Sequence, residues 1–171
     1  PQTGEAREVQ IFVAAQGASN YTYAEGTWTQ GLEDWLHSHM RALEFFGGVN
    51  EILVPDNTKV AVTSPHRYEP DLNQSYLDLA QHYNCAVIPA RIVKPRDKPN
   101  VEAAVLGVER WLMAPLRKRT FFSIGELNRA LREQLDAYNN RPFQKLEGSR
   151  KSLFEELDRP ALKPLPAGRY E

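Results

Sequence analysis

Two carboxylates stand where their neighbours would put them to chemical use. Asp56 closes the stretch EILVPDNTK (Glu51 to Lys59), in which Ile52, Leu53 and Val54 read as a short buried strand halted by Pro55. In open α/β sheets ligands gather beside the carboxyl ends of strands, which favours Asp56 as a working side chain. A turn-forming role is the alternative, because Asp and Asn bond their own backbone in turns. Glu102 lies 46 positions later, in the first turn of a helix that begins after Asn100. The helix dipole favours an acidic side chain there whatever its function. Two such carboxylates suit a hard divalent cation, since magnesium takes oxygen ligands and needs one or two carboxylates besides waters and substrate phosphate oxygens. Metals held in this way polarise a phosphoryl oxygen and activate the attacking water or hydroxyl. Two acids are few for a two-metal site, and Glu5, Glu8 and Glu25 are not placed to supply a third.

Other chemistries find less support. His37 and His39 are two apart on a helix and face different ways, which argues against zinc. Ser/His/Asp catalysis lacks a nucleophile elbow. Cys85, three positions after His82, reads as a core thiol; as the single cysteine it has no disulfide partner, which points to a reducing compartment. No apolar run approaches the roughly 20 residues that span a bilayer, and no signal peptide is recognisable.

The elements that must position these side chains follow from the hydrophobic pattern. Arg7 to Ala15 reads as a strand, Gly17 to Asn20 as a loop, and Tyr21 to Trp28 as a second strand in a hairpin with the first. Thr29 fits a helix N-cap, and the helix after it carries the stripe Leu32, Trp35, Leu36, His39, Met40, Leu43 and Phe46 before Gly47-Gly48 ends it. Beyond the Asp56 strand come a loop to Pro70, a helix with Leu72, Tyr76, Leu79, Ala80 and Tyr83 on one face, and a short strand from Cys85 to Pro89. Ala90 to Pro99 is basic and proline-rich, a poor helix former. Asn100 fits the cap of a helix from Val101 to about Leu116 with the stripe Val101, Ala104, Val105, Val108, Trp111 and Leu112. At about 100° per residue, Glu102 falls at the edge of that stripe. Arg117-Lys118-Arg119 follows, and Ser123 with Glu126 forms a capping box for a helix bearing Leu127, Leu131, Leu135 and Tyr138. Asn139-Asn140-Arg141-Pro142 stops it, and a short helix from Ser152 to Leu157 precedes a proline-bearing tail. This order argues for an α/β fold with a mixed sheet, and the lack of a glycine-rich phosphate loop argues against a dinucleotide-binding domain.

Charge is unevenly shared along the 171 residues. Residues 1–90 hold four Lys/Arg against eleven Asp/Glu, a net of −7, while residues 91–171 hold seventeen against eleven, a net of +6. That asymmetry suits a polyanionic partner on the second half.

FFGGVNEILVPDNTKVAV (Phe45 to Val62), followed by IVKPRDKPNVEAAV (Ile92 to Val105), resembles the catalytic core of the DDE transposases. More closely, it is similar to the IstA-type insertion-sequence transposases of bacteria, within the retroviral-integrase superfamily. SNYTYAEGTWTQ (Ser19 to Gln30), YNNRPFQKLEGSRKSLFEEL (Tyr138 to Leu157) and the closing KPLP fit the same family, so the likeness covers nearly the whole chain. It implies an α/β, RNase H-like mixed sheet flanked by helices over residues 1–140, lacking the first, central strand, with residues 141–171 as a C-terminal helix and linker. It also implies that Asp56 and Glu102 are the second and third catalytic acids and hold Mg2+ or Mn2+. By the same likeness Asn57, Lys59, Lys94, Arg96, Lys98 and Asn100 would meet DNA, with Asn100 standing where the family commonly has lysine.

The family's first aspartate lies on a strand before the hairpin, and this chain opens on the turn Pro1-Gln2-Thr3-Gly4. The chain therefore reads as a fragment, and its parent as the enzyme. The activity implied for the parent is metal-assisted cleavage of element ends and joining of each 3' hydroxyl to target DNA. Its implied partners are transposon-end and target DNA, further copies of itself and an AAA+ helper ATPase, in the bacterial cytoplasm at the nucleoid and away from membranes. Two other functions fit the same residues: a non-catalytic DNA-binding or assembly module, and an RNase H-superfamily nuclease. An incomplete sheet is expected to seek strand partners along its open edges, by self-association or strand exchange.

Overall fold

The computed structural model describes the backbone of residues 4–56, 62–64, 71–89 and 99–171. Its elements, in order, are β1 (Gln10–Ala15), β2 (Thr22–Thr27), α1 (Leu32–Phe46), β3 (Ile52–Leu53), β4 (Val62–Ser64), β5 (Asp71–Leu72), α2 (Gln74–His82), β6 (Ala86–Val87), α3 (Pro99–Val108), α4 (Ala114–Leu116), α5 (Ile124–Asn140) and α6 (Arg150–Leu153). A π-helical turn, Glu109–Met113, joins α3 to α4, and another, Phe154–Asp158, follows α6. The described residues fall into two compact units, one from residues 1–30 and 100–158, the other from 31–99 and 159–171.

In the first unit β1 and β2 form the expected antiparallel hairpin, with Gln10 opposite Thr27 and Ala15 opposite Thr22. Its turn is closed by Gln16 N–H donating to the Tyr21 carbonyl at 3.0 Å, with Asn20 in the left-handed region that asparagine tolerates (φ 56°). β2 is buried throughout whereas β1 is half-buried. The difference arises at the other edge of β2, which α5 covers. Asn139 accepts from Thr22 N–H at 3.1 Å and donates to the Thr22 carbonyl at 2.8 Å. Asn128 does the same at Gly26, at 2.6 and 3.0 Å. Leu131, Leu135 and Tyr138 of α5 are buried, as their spacing predicts, and Phe154 is buried against Tyr21 with ring centroids 4.4 Å apart.

The second unit is organised on α1 and α2. Met40 and Leu43 of α1 join Val49, Tyr76, Leu79 and Tyr83 in one core. α1 ends as expected at Gly47, in the left-handed conformation (φ 76°) with its N–H on the Leu43 and Glu44 carbonyls. Its N-cap is Gly31 and not Thr29, whose carbonyl instead accepts from the Thr27 hydroxyl. Likewise α2 starts at Gln74, because Asn73 caps it through Ser75 N–H at 2.9 Å and Leu72 pairs with Val62 across β4 and β5. β3 runs parallel to β6, Ile52 opposite Ala86 and Leu53 opposite Val87. The last residues are tied in as well. Val49 and Lys163 exchange backbone hydrogen bonds at 2.8 and 2.9 Å, and Arg169 grips both Glu44 oxygens at 2.5 and 2.6 Å.

The strands have the mixed directions expected of the sheet. Among the described residues, however, they form three two-stranded ladders and not one, and neither β1 nor β3 has a second ladder partner. No helix among the described residues is long and apolar enough to cross a membrane.

Half-buried His39 packs against Trp35 and Tyr76, and its Nδ1–H donates to the Trp35 carbonyl at 2.8 Å. Burial lowers its pKa from 6.5 to about 4, opposed by that carbonyl. The folded ring stays neutral where the unfolded ring takes a proton, so stability is complete above the unfolded pKa and falls as pH drops from 6.5 toward 4. The expected loss is on the order of 2 kcal/mol, and His39→Leu should flatten that part of the stability–pH curve. Equal slopes for both proteins would remove His39 as the cause.

Asn139→Ala leaves the Thr22 N–H and carbonyl without their partner inside the core. Urea unfolding should show a loss of about 2–4 kcal/mol. Asn140→Ala, at an exposed neighbour, should cost less than about 0.5 kcal/mol in the same assay.

Candidate functional site

Asp56 belongs to the second unit and follows the carboxyl end of β3 by three residues. The backbone before it is fixed by the parallel ladder, with Ala86 N–H on the Glu51 carbonyl and Ile88 N–H on the Leu53 carbonyl, both at 2.9 Å. Pro55 is buried and ends the strand, because it has no N–H to continue the ladder. Asp56 itself is exposed. Asp56 is thus a solvent-facing residue just beyond a strand end, and the turn expected after it lies outside the described residues.

Glu102 belongs to the first unit, in the first turn of α3, and is exposed. The apolar face of α3 is narrower than the sequence pattern suggests. Ala104, Val108 and Leu112 are buried, while Val105 is 38% and Leu106 64% exposed. Glu102 is thus exposed on a helix whose buried stripe is Ala104, Val108 and, in the turn beyond, Leu112. Asn100 does not cap this helix but lies inside it, since α3 starts at Pro99. Its side-chain N–H donates to the Gly17 carbonyl at 2.6 Å. The turn holding Gly17 is fixed in its own right, because the Asp158 carboxylate accepts from Ala18 N–H at 3.2 Å and Ser19 N–H at 2.9 Å. Asp158, the hairpin turn, Asn100 and the start of α3 form one chain of hydrogen bonds ending two residues from Glu102.

The helix expected as continuous to Leu116 widens into the π-turn at Glu109–Met113. Pro115, which cannot donate to the fourth carbonyl behind it, stands two residues beyond, and such widening is one way a helix absorbs that loss. On the side facing α5 there is no room at Gly107, where a methyl group would overlap the Tyr138 hydroxyl. Arg141 lies 3.7 Å over Trp111 and Arg150 lies 4.1 Å over Tyr138, so these two cations serve packing.

Asn57, Lys59, Lys94, Arg96 and Lys98 lie outside the described residues. Among the described residues no group of three His, Cys, Asp or Glu side chains gathers as a metal site. Asp158 and Asn128 carry no mark in the residue pattern, and Asn139 appears there only as part of a helix stop. A buried polar side chain within an otherwise regular apolar face is the one signal that could have marked Asn139.

No protein-family model matches the chain. It is 51% identical over 164 residues to a transposase for insertion sequence IS408 of Burkholderia multivorans, spanning 96% of this chain and 32% of that protein. It is 49% identical over 171 residues to a transposase for insertion sequence IS1162 of Pseudomonas fluorescens, spanning 100% of this chain and 30% of that protein. With the transposase for insertion sequence element IS21 of Pseudomonas aeruginosa it shares 27% identity over 95% of this chain and 41% of that one. The chain thus spans about a third of the length of the first two relatives. Among solved structures, the catalytic core domain of BIV integrase superposes with a TM-score of 0.68 over 89% of each chain at 13% identity. A chain of the simian T-cell lymphotropic virus intasome in complex with PP2A regulatory subunit B56 gamma gives 0.70 over 95% of this chain and 53% of that one, at 14% identity. The fold is that of the integrase catalytic core, RNase H-like α/β.

Gly107→Ala should destabilise the chain by about 1–3 kcal/mol through overlap with Tyr138, read as a lower thermal midpoint. Adding Tyr138→Phe should recover part of that loss. No recovery would mean that the helix is not limited at this contact.

Proposed function

We propose that this chain, homologous to insertion-sequence transposases over its length, carries the second and third acids of a centre that cuts and joins DNA. The supporting observation is the placement of Asp56 just beyond the end of a parallel strand and of Glu102 in the first turn of α3, in a chain half identical to transposases. Both are exposed carboxylates, the hard oxygen donors that magnesium or manganese takes alongside water and phosphate oxygens, so the residues present fit such an ion. When bound, the ion neutralises charge on phosphoryl oxygens and lowers the pKa of an attacking water or hydroxyl.

The chain's own contribution is position. Pro55 and the β3–β6 ladder fix the backbone before Asp56, and Asn100 ties the start of α3 to the hairpin turn that Asp158 holds. In-line phosphoryl displacement depends on such positioning and on charge neutralisation. Asn57, Lys59, Lys94, Arg96 and Lys98 would hold the DNA backbone, which sets register without reading sequence. Asn100 serves mainly to tie α3 to the hairpin turn, its amide N–H being engaged there. Cleavage of transposon ends, joining to target DNA, assembly of several copies on DNA and engagement of an AAA+ helper ATPase are proposed for the whole protein, of which this chain spans about a third in its relatives.

In the full-length transposase, Asp56→Asn and Glu102→Gln should each lower strand transfer at least about 100-fold while DNA binding stays within about twofold. Joining that survives either change would sink the assignment. A full-length protein that binds ends yet never cuts or joins them would be an assembly module instead.

A further inference from the structure

We infer that Arg117 to Phe122 forms a second DNA-contacting surface, in which Arg117, Lys118 and Arg119 hold phosphates and Phe122 stacks on an unpaired base. The partner rests on the transposase reading; the surface rests on its own residues. It lies about 15 positions beyond Glu102 along one helical run, on the order of 20 Å away, too far to belong to the carboxylate centre.

The segment is anchored at both ends. Leu116 is buried at the end of α4, and Arg119 N–H donates to its carbonyl at 2.9 Å. At the far end Ser123 caps α5 through Glu126 N–H at 3.1 Å, and the Glu126 carboxylate accepts from Phe122 N–H at 2.9 Å. The acid nearest in sequence is therefore committed to the helix start and is not paired with the cations. All three cations are exposed. Among the described residues the Arg117 and Lys118 side chains have no hydrogen-bond or ion-pair partner, and Arg119 meets only the Phe121 ring, 5.0 Å away. Arg141 and Arg150 of the same unit are, by contrast, occupied over Trp111 and Tyr138.

Phe122 is 63% exposed beside these charges. Cations that track phosphates, interleaved with an aromatic ring open to water, make the composition of a single-strand nucleic-acid surface. An acidic protein surface would use the cations but not the ring. In a duplex both faces of each base are already stacked, so an open ring favours frayed or single-stranded DNA.

The test measures binding of the 171-residue chain to a labelled single strand and to its duplex across a range of salt. The triple variant Arg117→Gln, Lys118→Gln, Arg119→Gln should flatten the slope of log K against log[salt] by about two to three. Phe122→Ala should weaken single-strand binding at least about fivefold and duplex binding less than about twofold. An unchanged slope overturns the phosphate contact, and an equal or absent effect of Phe122→Ala overturns the base contact. Polyglutamate binding as tight as DNA binding would mark an acidic-protein site and overturn the inference. Strand transfer reads the carboxylate assignment, whereas salt-dependent binding by the Arg117–Phe122 variants reads this surface, so the two failures are distinguishable.

Discussion

Two asparagine amides on one face of α5 do for the outer edge of β2 what a neighbouring strand would otherwise do. Asn128 and Asn139 are eleven residues apart, three helical turns, and each pairs with both the N–H and the carbonyl of an outward-facing strand residue. Backbone groups at a sheet edge must be satisfied or left to water, and here they are satisfied by side chains. The effect is visible in burial, with β2 enclosed along its whole length and β1 only half covered. The hairpin turn, Asp158, Asn100 and the start of α3 all depend on that hairpin staying in place.

Much of this was legible because local rules sufficed. The β1–β2 hairpin, the α1 stripe with its Gly47 terminus, the Ser123 cap and the Pro55 stop each depend on residues within about one turn of one another. The departures share the opposite property. Thr29 and Asn100 fit helix caps by residue type, since short polar residues favour helix ends, and Asn139 belongs to a stop that α5 obeys while carrying a second role. Each was claimed by a partner or a position that nearby residues do not announce: Gly31 took the cap from Thr29, Pro99 put Asn100 inside the helix, and Thr22 recruited Asn139 from 117 residues away. Val105 fits the apolar period yet is 38% exposed, while Ala104, Val108 and Leu112 are buried. Periodicity fixes which face is apolar; the neighbouring element fixes how much of that face is covered.

The candidate acids carry a different kind of signal. Asp56 and Glu102 stand out for their neighbours in sequence and for the elements those neighbours form, a strand end and a helix start. Their supports are the β3–β6 ladder and the bonds of Asp158 and Asn100 to the hairpin turn, pairings between distant residues that local pattern does not announce. Residue pattern thus suggests candidate acids and the elements that carry them, but not the contacts that hold those elements.

The Val49–Lys163 pairing has a consequence for how the chain reaches this structure. Each unit is made of two pieces, and the second piece of one begins where the second piece of the other ends. Residues 31–99 cannot acquire their last ladder until synthesis has passed Lys163, and β2 waits for Asn128 and Asn139. Loops of about a hundred residues must close before these contacts return any free energy, which slows folding more than it weakens the product. Nascent chains should therefore spend time with open strand edges, a state in which capture by a chaperone competes with sticking to one another.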